Sequence, residues 1–305
     1  MPNPEKIRIV CISDTHNKAP GEGYTLPQGD ILIHAGDLTN QGSLSEIQKA
    51  VSWLSSSQQT SSFKTKIVIA GNHDLSLDPH YNPLKHASGW KVQPPASEVA
   101  ECRRLVVEND DAFTYLQHTS HVINIPEKAI SLKVFGSPYS PDRGGRQNWA
   151  FQYDVETEAS RIWSEIPDDT DIVVSHTPPK GVCDASQHWI EGGCRGLLGE
   201  GLGRVRPLLH VCGHCHEGRG AKVVRWGEKE GEVVGTREWE DPGRGSKKQS
   251  LLDLTGSRRG GLGLEAGRET AVVNASVMAK SFGREGGMEF NKPIVVDLAV
   301  PCRER

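Results

Sequence analysis

Five times in this 305-residue chain, a short apolar run ends on a residue able to bind a metal ion. Residues 7–12 lead into Ser13-Asp14-Thr15-His16, residues 31–35 into Gly36-Asp37, and residues 66–70 into Gly71-Asn72-His73-Asp74. Residues 171–175 deliver His176, and residues 208–212 deliver Gly213-His214-Cys215-His216. Short runs rich in β-branched residues read as strands buried on both faces. In α/β sheets, sites assemble in the crevice beyond the carboxyl ends of the strands. The repetition therefore predicts an α/β chain whose five strand ends share a sheet and converge on one site.

Further strands are expected at 131–136, 271–275 and 293–298. A helix is expected from 43 to about 57, with Leu44, Ile47, Val51 and Leu54 on one face and Ser43 as its cap. Another is expected over 155–166. The whole chain, 1–305, reads as a single domain with one discordant stretch. Residues 218–269 hold 12 glycines and 20 charged residues among 52. That composition offers too little apolar surface to offset its ordering entropy. It predicts a flexible insertion, with at most a short hairpin around 226–239, and a place where a protein partner would dock.

A net charge of −4 gives no reason to expect nucleic acid, although Lys247-Lys248 and Arg258-Arg259 are local basic pairs. No window approaches the run of about 20 apolar residues that a membrane span needs. The N-terminal segment lacks the pattern of a signal peptide. Seven cysteines, an odd number without paired short spacings, suit free thiols in a reducing compartment, so the expected location is cytoplasmic.

Asp14, His16, Asp37, Asn72, His176, His214 and His216 are the candidate metal ligands. Mixed oxygen and imidazole donors suit Mn, Fe or Zn better than Mg or Ca. Seven ligands suit two ions if one carboxylate bridges, and two ions can clamp an in-line displacement at phosphorus with a shared hydroxide as nucleophile. No Gly-x-Ser-x-Gly elbow, P-loop or dinucleotide fingerprint competes with this reading.

The ordered blocks Asp-x-His, Gly-Asp, Gly-Asn-His-Asp, His and Gly-His-x-His resemble the calcineurin-like metallophosphoesterase superfamily. Within it, Phe135-Gly136-Ser137-Pro138, Ser175-His176-Thr177-Pro178-Pro179, Asn274-Ala275-Ser276 and residues 293–298 are similar to metallophosphoesterase-domain-containing proteins related to class III cyclic-nucleotide phosphodiesterases. The resemblance covers nearly all of the chain except 218–269. It implies a four-layer αββα sandwich with the site at the rim between two sheets. It implies Asp14, His16, Asp37 and His216 on one metal, and Asp37, Asn72, His176 and His214 on the other. His73 would face the substrate and either protonate the leaving oxygen or stabilise the transition state, with Asp74 orienting it. Asn17, Arg143 and Arg146 are weaker candidates for phosphate or nucleotide contacts; Trp149 and Phe151 are near enough to stack on a base, but core packing is the favoured reading for both. The expected function is a phosphodiesterase with two divalent ions, Mn being the expected activator in vitro. The alternatives are a phosphomonoesterase or protein phosphatase, or a low-activity metal- and nucleotide-binding regulatory protein.

Overall fold

A computed structural model describes residues 4–56, 58–81, 94–108, 112–142, 149–189, 192–257, 261–280 and 288–300. The first strands and helices are β1 (Glu5–Ile12), β2 (Ile31–Ala35), α1 (Leu44–Ser56), β3 (Thr65–Ile69), α2 (Ala96–Val107) and β4 (Thr114–Tyr115). They are followed by β5 (Thr119–Ile125), β6 (Ile130–Ser137), β7 (Ser140–Pro141), β8 (Gln152–Tyr153), α3 (Ala159–Ser164), β9 (Ile172–Ser175) and β10 (Leu209–Cys212). The remainder supplies β11 (Gly220–Trp226), β12 (Val233–Glu238), β13 (Ser250–Asp253), β14 (Glu269–Asn274), β15 (Met278–Lys280), β16 (Glu289–Phe290) and β17 (Ile294–Val300).

Two mixed sheets carry the fold, in the orders β13-β17-β1-β2-β3-β4 and β12-β11-β14-β10-β9-β6-β5. Their facing sides share one apolar layer: Ile9, Ile33, Ile67 and Val296 from the first sheet meet Val134, Val174, Val211 and Val273 from the second. The alternate side chains Val10, Leu32 and Val68 turn outward against α1 and α2. Phe135, Val173, Val224 and Val272 turn outward against α3 and the helical turn Leu197–Gly203. Period-two burial on both sheets thus builds four layers, in the order αββα.

The expectation that all five ligand-bearing strands share one sheet is corrected by this arrangement. β1, β2 and β3 lie in the first sheet, and β9 and β10 in the second. They converge because both sets are parallel and the sheets are stacked, so their carboxyl ends open onto the same rim. Helix α1 follows the expected face, with Ile47, Ala50 and Leu54 buried. Its start is held by Glu46, which accepts the Ser43 N–H at 3.1 Å and the Ser43 hydroxyl at 2.9 Å, so the Ser43 side chain donates to Glu46 and does not cap a backbone N–H as expected. Helix α3 is shorter than 155–166 because Asp154 Oδ1 accepts the N–H groups of Glu156 and Thr157, which holds the first residues in a turn.

The expectation of a flexible 218–269 segment also fails for its described residues. β11 pairs with β14 and with β12, forming the foreseen hairpin, and β13 joins the other sheet beside β17. Ala221, Val223, Val224 and Trp226 are buried. A strand beneath a sheet layer needs only alternate apolar residues, so a high count of charges does not prevent burial. The charges that lie inward are paired: Glu269 with Arg237 at 2.7 Å, and Arg219 with Asp241 at 2.8 Å. Among the described residues, no helix is long and apolar enough to cross a membrane.

Candidate metal centre

The strand ends are locked to one another before any side chain is considered. The Asp14 N–H donates to Gly36 O at 2.9 Å, His16 N–H to Asp37 O at 3.1 Å, and Gly213 N–H to His176 O at 3.0 Å. Five non-glycine residues here adopt left-handed backbone: Asp14 (φ 54°), His16 (42°), Asn17 (64°), Asp37 (55°) and His214 (65°). This region is sparsely populated for side-chain-bearing residues, and its concentration here marks a site where the backbone is bent to aim side chains inward. Gly71 and Gly213 are required by close approach: a Cβ at Gly71 would collide with the Asp37 carboxylate, and one at Gly213 with Ser13 Oγ and Asp14 Oδ2.

All seven sequence-predicted ligand residues meet at this rim. His216 Nε2 lies 3.3 Å from Asp14 Oδ1 and 3.3 Å from His16 Nε2. Asp37 Oδ2 lies 3.8 Å from His16 Nε2 and 3.4 Å from His176 Nε2, so this one carboxylate stands between two groups. Asn72 Oδ1 lies 2.9 Å from His176 Nε2 and 2.8 Å from His214 Nδ1. Three overlapping sets of ligand atoms lie within 4.8 Å of one another: Asp14–His16–His216, His16–Asp37–His73 and Asp14–Asp37–His176.

The arrangement is short of donors. His176 Nδ1–H donates to the Ala35 carbonyl at 2.9 Å, and its Nε2 faces Asn72 Oδ1 at 2.9 Å and Asp37 Oδ2 at 3.4 Å. His214 Nε2 is buried with no hydrogen-bond partner. Burial would raise the Asp14 and Asp37 carboxyls, but the charges of His216 and His176 facing them outweigh it and hold both well below the usual carboxylate range. Burial would lower His176, yet the Asp37 charge pushes it up to about 9. Burial, helped by neighbouring histidine charges, presses His16 and His214 down to about 3. Two imidazoles held neutral, His16 and His214, and two drawn positive, His176 and His216, around two ionised carboxylates are a donor set that fits divalent cations.

His73 sits at the edge of this cluster. Its Nδ1–H donates to Asn40 O at 2.8 Å, its N–H donates to Asp37 Oδ1 at 2.8 Å, and Trp149 packs against its ring with centroids 4.2 Å apart. The expected direct contact between Asp74 and His73 is absent among the described contacts. Asp74 instead accepts the N–H groups of Leu38, Thr39 and Gly71 and the Thr39 hydroxyl, so it ties the Gly36-Asp37 turn to the Gly71-Asn72 turn. Burial and the Asp37 charge push its carboxyl up to about 7. Asn17 follows the first motif with its Oδ1 buried and unbonded. Phe151 is packed in the core, which removes it from base stacking. Arg143, Arg146 and the Arg258-Arg259 pair lie outside the described residues.

Two participants went unread in the sequence. Trp189 stacks on His214 with centroids 5.0 Å apart and planes at 16°. It sits in a loop with no periodicity to mark it. Asn40 contributes only its carbonyl, and the available signal was the polar turn following Gly36-Asp37.

The Calcineurin-like phosphoesterase family profile matches residues 7–218. A probable rhamnogalacturonate lyase C of Emericella nidulans is 42% identical over 222 residues, covering 72% of this chain and 18% of that protein. The UPF0046 protein K07C11.7 of Caenorhabditis elegans is 33% identical, covering 70% of this chain and 65% of its own length. Human metallophosphoesterase domain-containing protein 1 is 34% identical, covering 71% and 63%. The matched stretch thus spans less than two thirds of each of these relatives.

Proposed function

This chain belongs to the calcineurin-like phosphoesterase family, and from that premise we propose that it is a metal-dependent phosphodiesterase using two divalent ions, Mn, Fe or Zn. The observation that carries the reading is the position of Asp37, within 3.8 Å of one imidazole and 3.4 Å of another, as the carboxylate shared by two ligand groups. Asp14, His16, Asp37 and His216 are assigned to one ion, and Asp37, Asn72, His176 and His214 to the other. When bound, the ions supply activation of water and neutralisation of charge on the phosphoryl oxygens.

The residues supply alignment and protons. With Nδ1–H committed to Asn40 O, His73 has no hydrogen-bond partner at Nε2 among the described residues, and in its imidazolium form Nε2–H is the group assigned to protonate the departing alkoxide, leaving the ring neutral. An alkoxide is a poor leaving group, and this favours a diester over a phosphoanhydride. Asp74 holds the two turns that present Asp37 and Asn72, a structural contribution to catalysis. The buried free cysteines among the described residues support a reducing, cytoplasmic location.

Hydrolysis of bis(p-nitrophenyl) phosphate and p-nitrophenyl phosphate, with and without Mn, tests the proposal. Metal-dependent diester cleavage lost in Asn72→Ala is the expected result, with His73→Ala impairing alkyl diesters more than these nitrophenyl esters, whose leaving group departs without a proton. Preference for the monoester would make the chain a phosphomonoesterase. No turnover with two bound ions would favour a metal-binding regulatory role.

A further inference from the structure

Two imidazoles at the centre are each oriented by a backbone oxygen, His176 by Ala35 O at 2.9 Å and His73 by Asn40 O at 2.8 Å. His214 has no such tether. Its Nδ1 faces Asn72 Oδ1 at 2.8 Å, and its buried Nε2 has no hydrogen-bond partner among the described residues. Packing holds the ring instead. The His176 imidazole meets it edge to face, with centroids 5.0 Å apart and planes at 68°. The Trp189 indole lies 5.0 Å away by centroids with its plane only 16° from parallel, an offset stack that opposes rotation of the imidazole. The loop bearing Trp189 is fastened to the turn bearing His214: Asn274 Nδ2 donates to Cys183 O at 2.9 Å and to Cys215 O at 2.8 Å. Asp184 accepts the Gly181 N–H at 2.9 Å and the Gly193 N–H at 3.1 Å, which draws the ends of the loop together. Nearer Trp189, the Gln187 N–H donates to Glu217 Oε2 at 3.3 Å, and the His188 ring stands edge-on to the indole.

We propose that Trp189 is a positioning residue for the ion assigned to Asp37, Asn72, His176 and His214: its indole holds the His214 ring in place and closes that side of the ligand to water, which slows release of the ion. The inference rests on the two-ion reading above and adds a residue that this reading does not contain. Metal-binding histidines are normally aligned by a hydrogen bond at the ring nitrogen facing away from the ion, and losing that partner weakens metal binding by about 10- to 100-fold. At His214 a ring stack takes the place of that bond. The effect is confined to one ion. Among the described ring contacts, His16 and His216, assigned to the other ion, meet each other, and His16 also meets His73; neither meets Trp189. A platform for substrate would behave differently, changing KM while leaving ion binding alone. Trp189 is half-buried and lies outside the apolar core clusters, so its replacement leaves the core packing intact.

The full chain, stripped of metal by chelation, is titrated with Mn as wild type, Trp189→Ala, Trp189→Phe and Trp189→Leu, with free Mn read by electron paramagnetic resonance. Release from the loaded proteins is then timed against excess EDTA, and circular dichroism reports the fold. The wild type is expected to bind two ions. In Trp189→Ala one ion should bind as in the wild type, while the other binds about tenfold more weakly and leaves about tenfold faster. Trp189→Phe keeps a flat ring and should restore both values. Trp189→Leu keeps apolar bulk without a flat face and should match alanine, which also decides the matter if the alanine variant does not fold. Unchanged binding and release in the leucine or alanine variant would overturn the proposal, as would equal weakening of both ions. Failure of phenylalanine to restore the weakened ion would do the same. A raised KM for bis(p-nitrophenyl) phosphate with ion binding unchanged would make Trp189 a substrate contact and reject the positioning role. Fewer than two ions in the wild type would show, before any substitution, that the two-ion reading had failed and this proposal with it.

Discussion

The Nδ1 atom of His73 lies 2.8 Å from the main-chain oxygen of Asn40, and Glu46 fixes the turn that presents that oxygen. The Glu46 carboxylate accepts the Asn40 N–H at 3.1 Å, the Asn40 side-chain amide at 3.0 Å and the Ser43 N–H at 3.1 Å. One acidic residue therefore starts helix α1 and orients the ring opposite the metal centre. Glu46→Ala is expected to lower kcat about tenfold through misalignment of His73, with metal content retained. Loss of the cap should also cost about 1 kcal/mol of stability. Steady-state kinetics, metal analysis and urea unfolding separate these effects, and an unchanged kcat would remove Glu46 from the positioning chain.

Gly71→Ala places a methyl group against the Asp37 carboxylate. Asp37 cannot retreat easily, since its backbone is left-handed and its Oδ1 accepts the His73 N–H. The expected result is metal affinity weakened by roughly 10- to 100-fold with a folded chain, read by metal titration and circular dichroism. Full metal loading in this variant would show that Asp37 is not the shared ligand.

The pH dependence of stability has a defined sign at His34 and His210. Both are fully buried and bond through Nε2, to Thr15 Oγ1 and Ser175 Oγ, while their Nδ1 atoms have no partner. Burial presses His34 down to about 4 and His210 down to about 3. The unfolded chain thus binds more protons than the folded one as pH falls below the ordinary histidine value, and stability drops through that window. His210→Gln keeps a donor for Ser175 and removes one such proton. Its unfolding free energy should fall less steeply between pH 6 and pH 4, by about 1.4 kcal/mol per pH unit. Parallel pH profiles in urea unfolding would contradict this.

Asp241→Ala should destabilise the chain by about 2 kcal/mol, because Arg219 would lose its charge partner while only 11% of its side chain is exposed. Arg219→Lys should not substitute for the native residue. One ammonium cannot meet Asp241, Ser250 and the Lys292 carbonyl in the forked geometry of a guanidinium. Urea midpoints of the two variants check both statements.

The strand-end motifs made the candidate metal centre legible as an ordered set: Asp14, Asn72 or His214 alone reads as ordinary turn chemistry, and only their recurrence after successive apolar runs pointed to ligation. Which sheet each strand joined was not legible, since a buried run such as 172–175 has the same sequence character in either layer. Burial in residues 218–269 escaped notice because composition counts the charge of Arg237 without showing that Glu269 lies across from it. Trp189 and the Asn40 carbonyl were hidden for a related reason. A stacking ring and a backbone oxygen acquire their roles only from what the fold brings beside them.

The hairpin of β11 and β12 forms the border of its sheet, with β12 outermost. That border carries Arg237 and Glu238, the kind of charged rim that discourages strangers from pairing with it. Beneath it, Ala271, Val272 and Val273 of β14 are wholly enclosed. A chain trimmed of residues 218–269 would present that uncharged β-branched segment as an open template for other chains. Its first defect would be self-association rather than altered turnover, and colloidal behaviour constrains whether this chain can lose the segment as much as chemistry does.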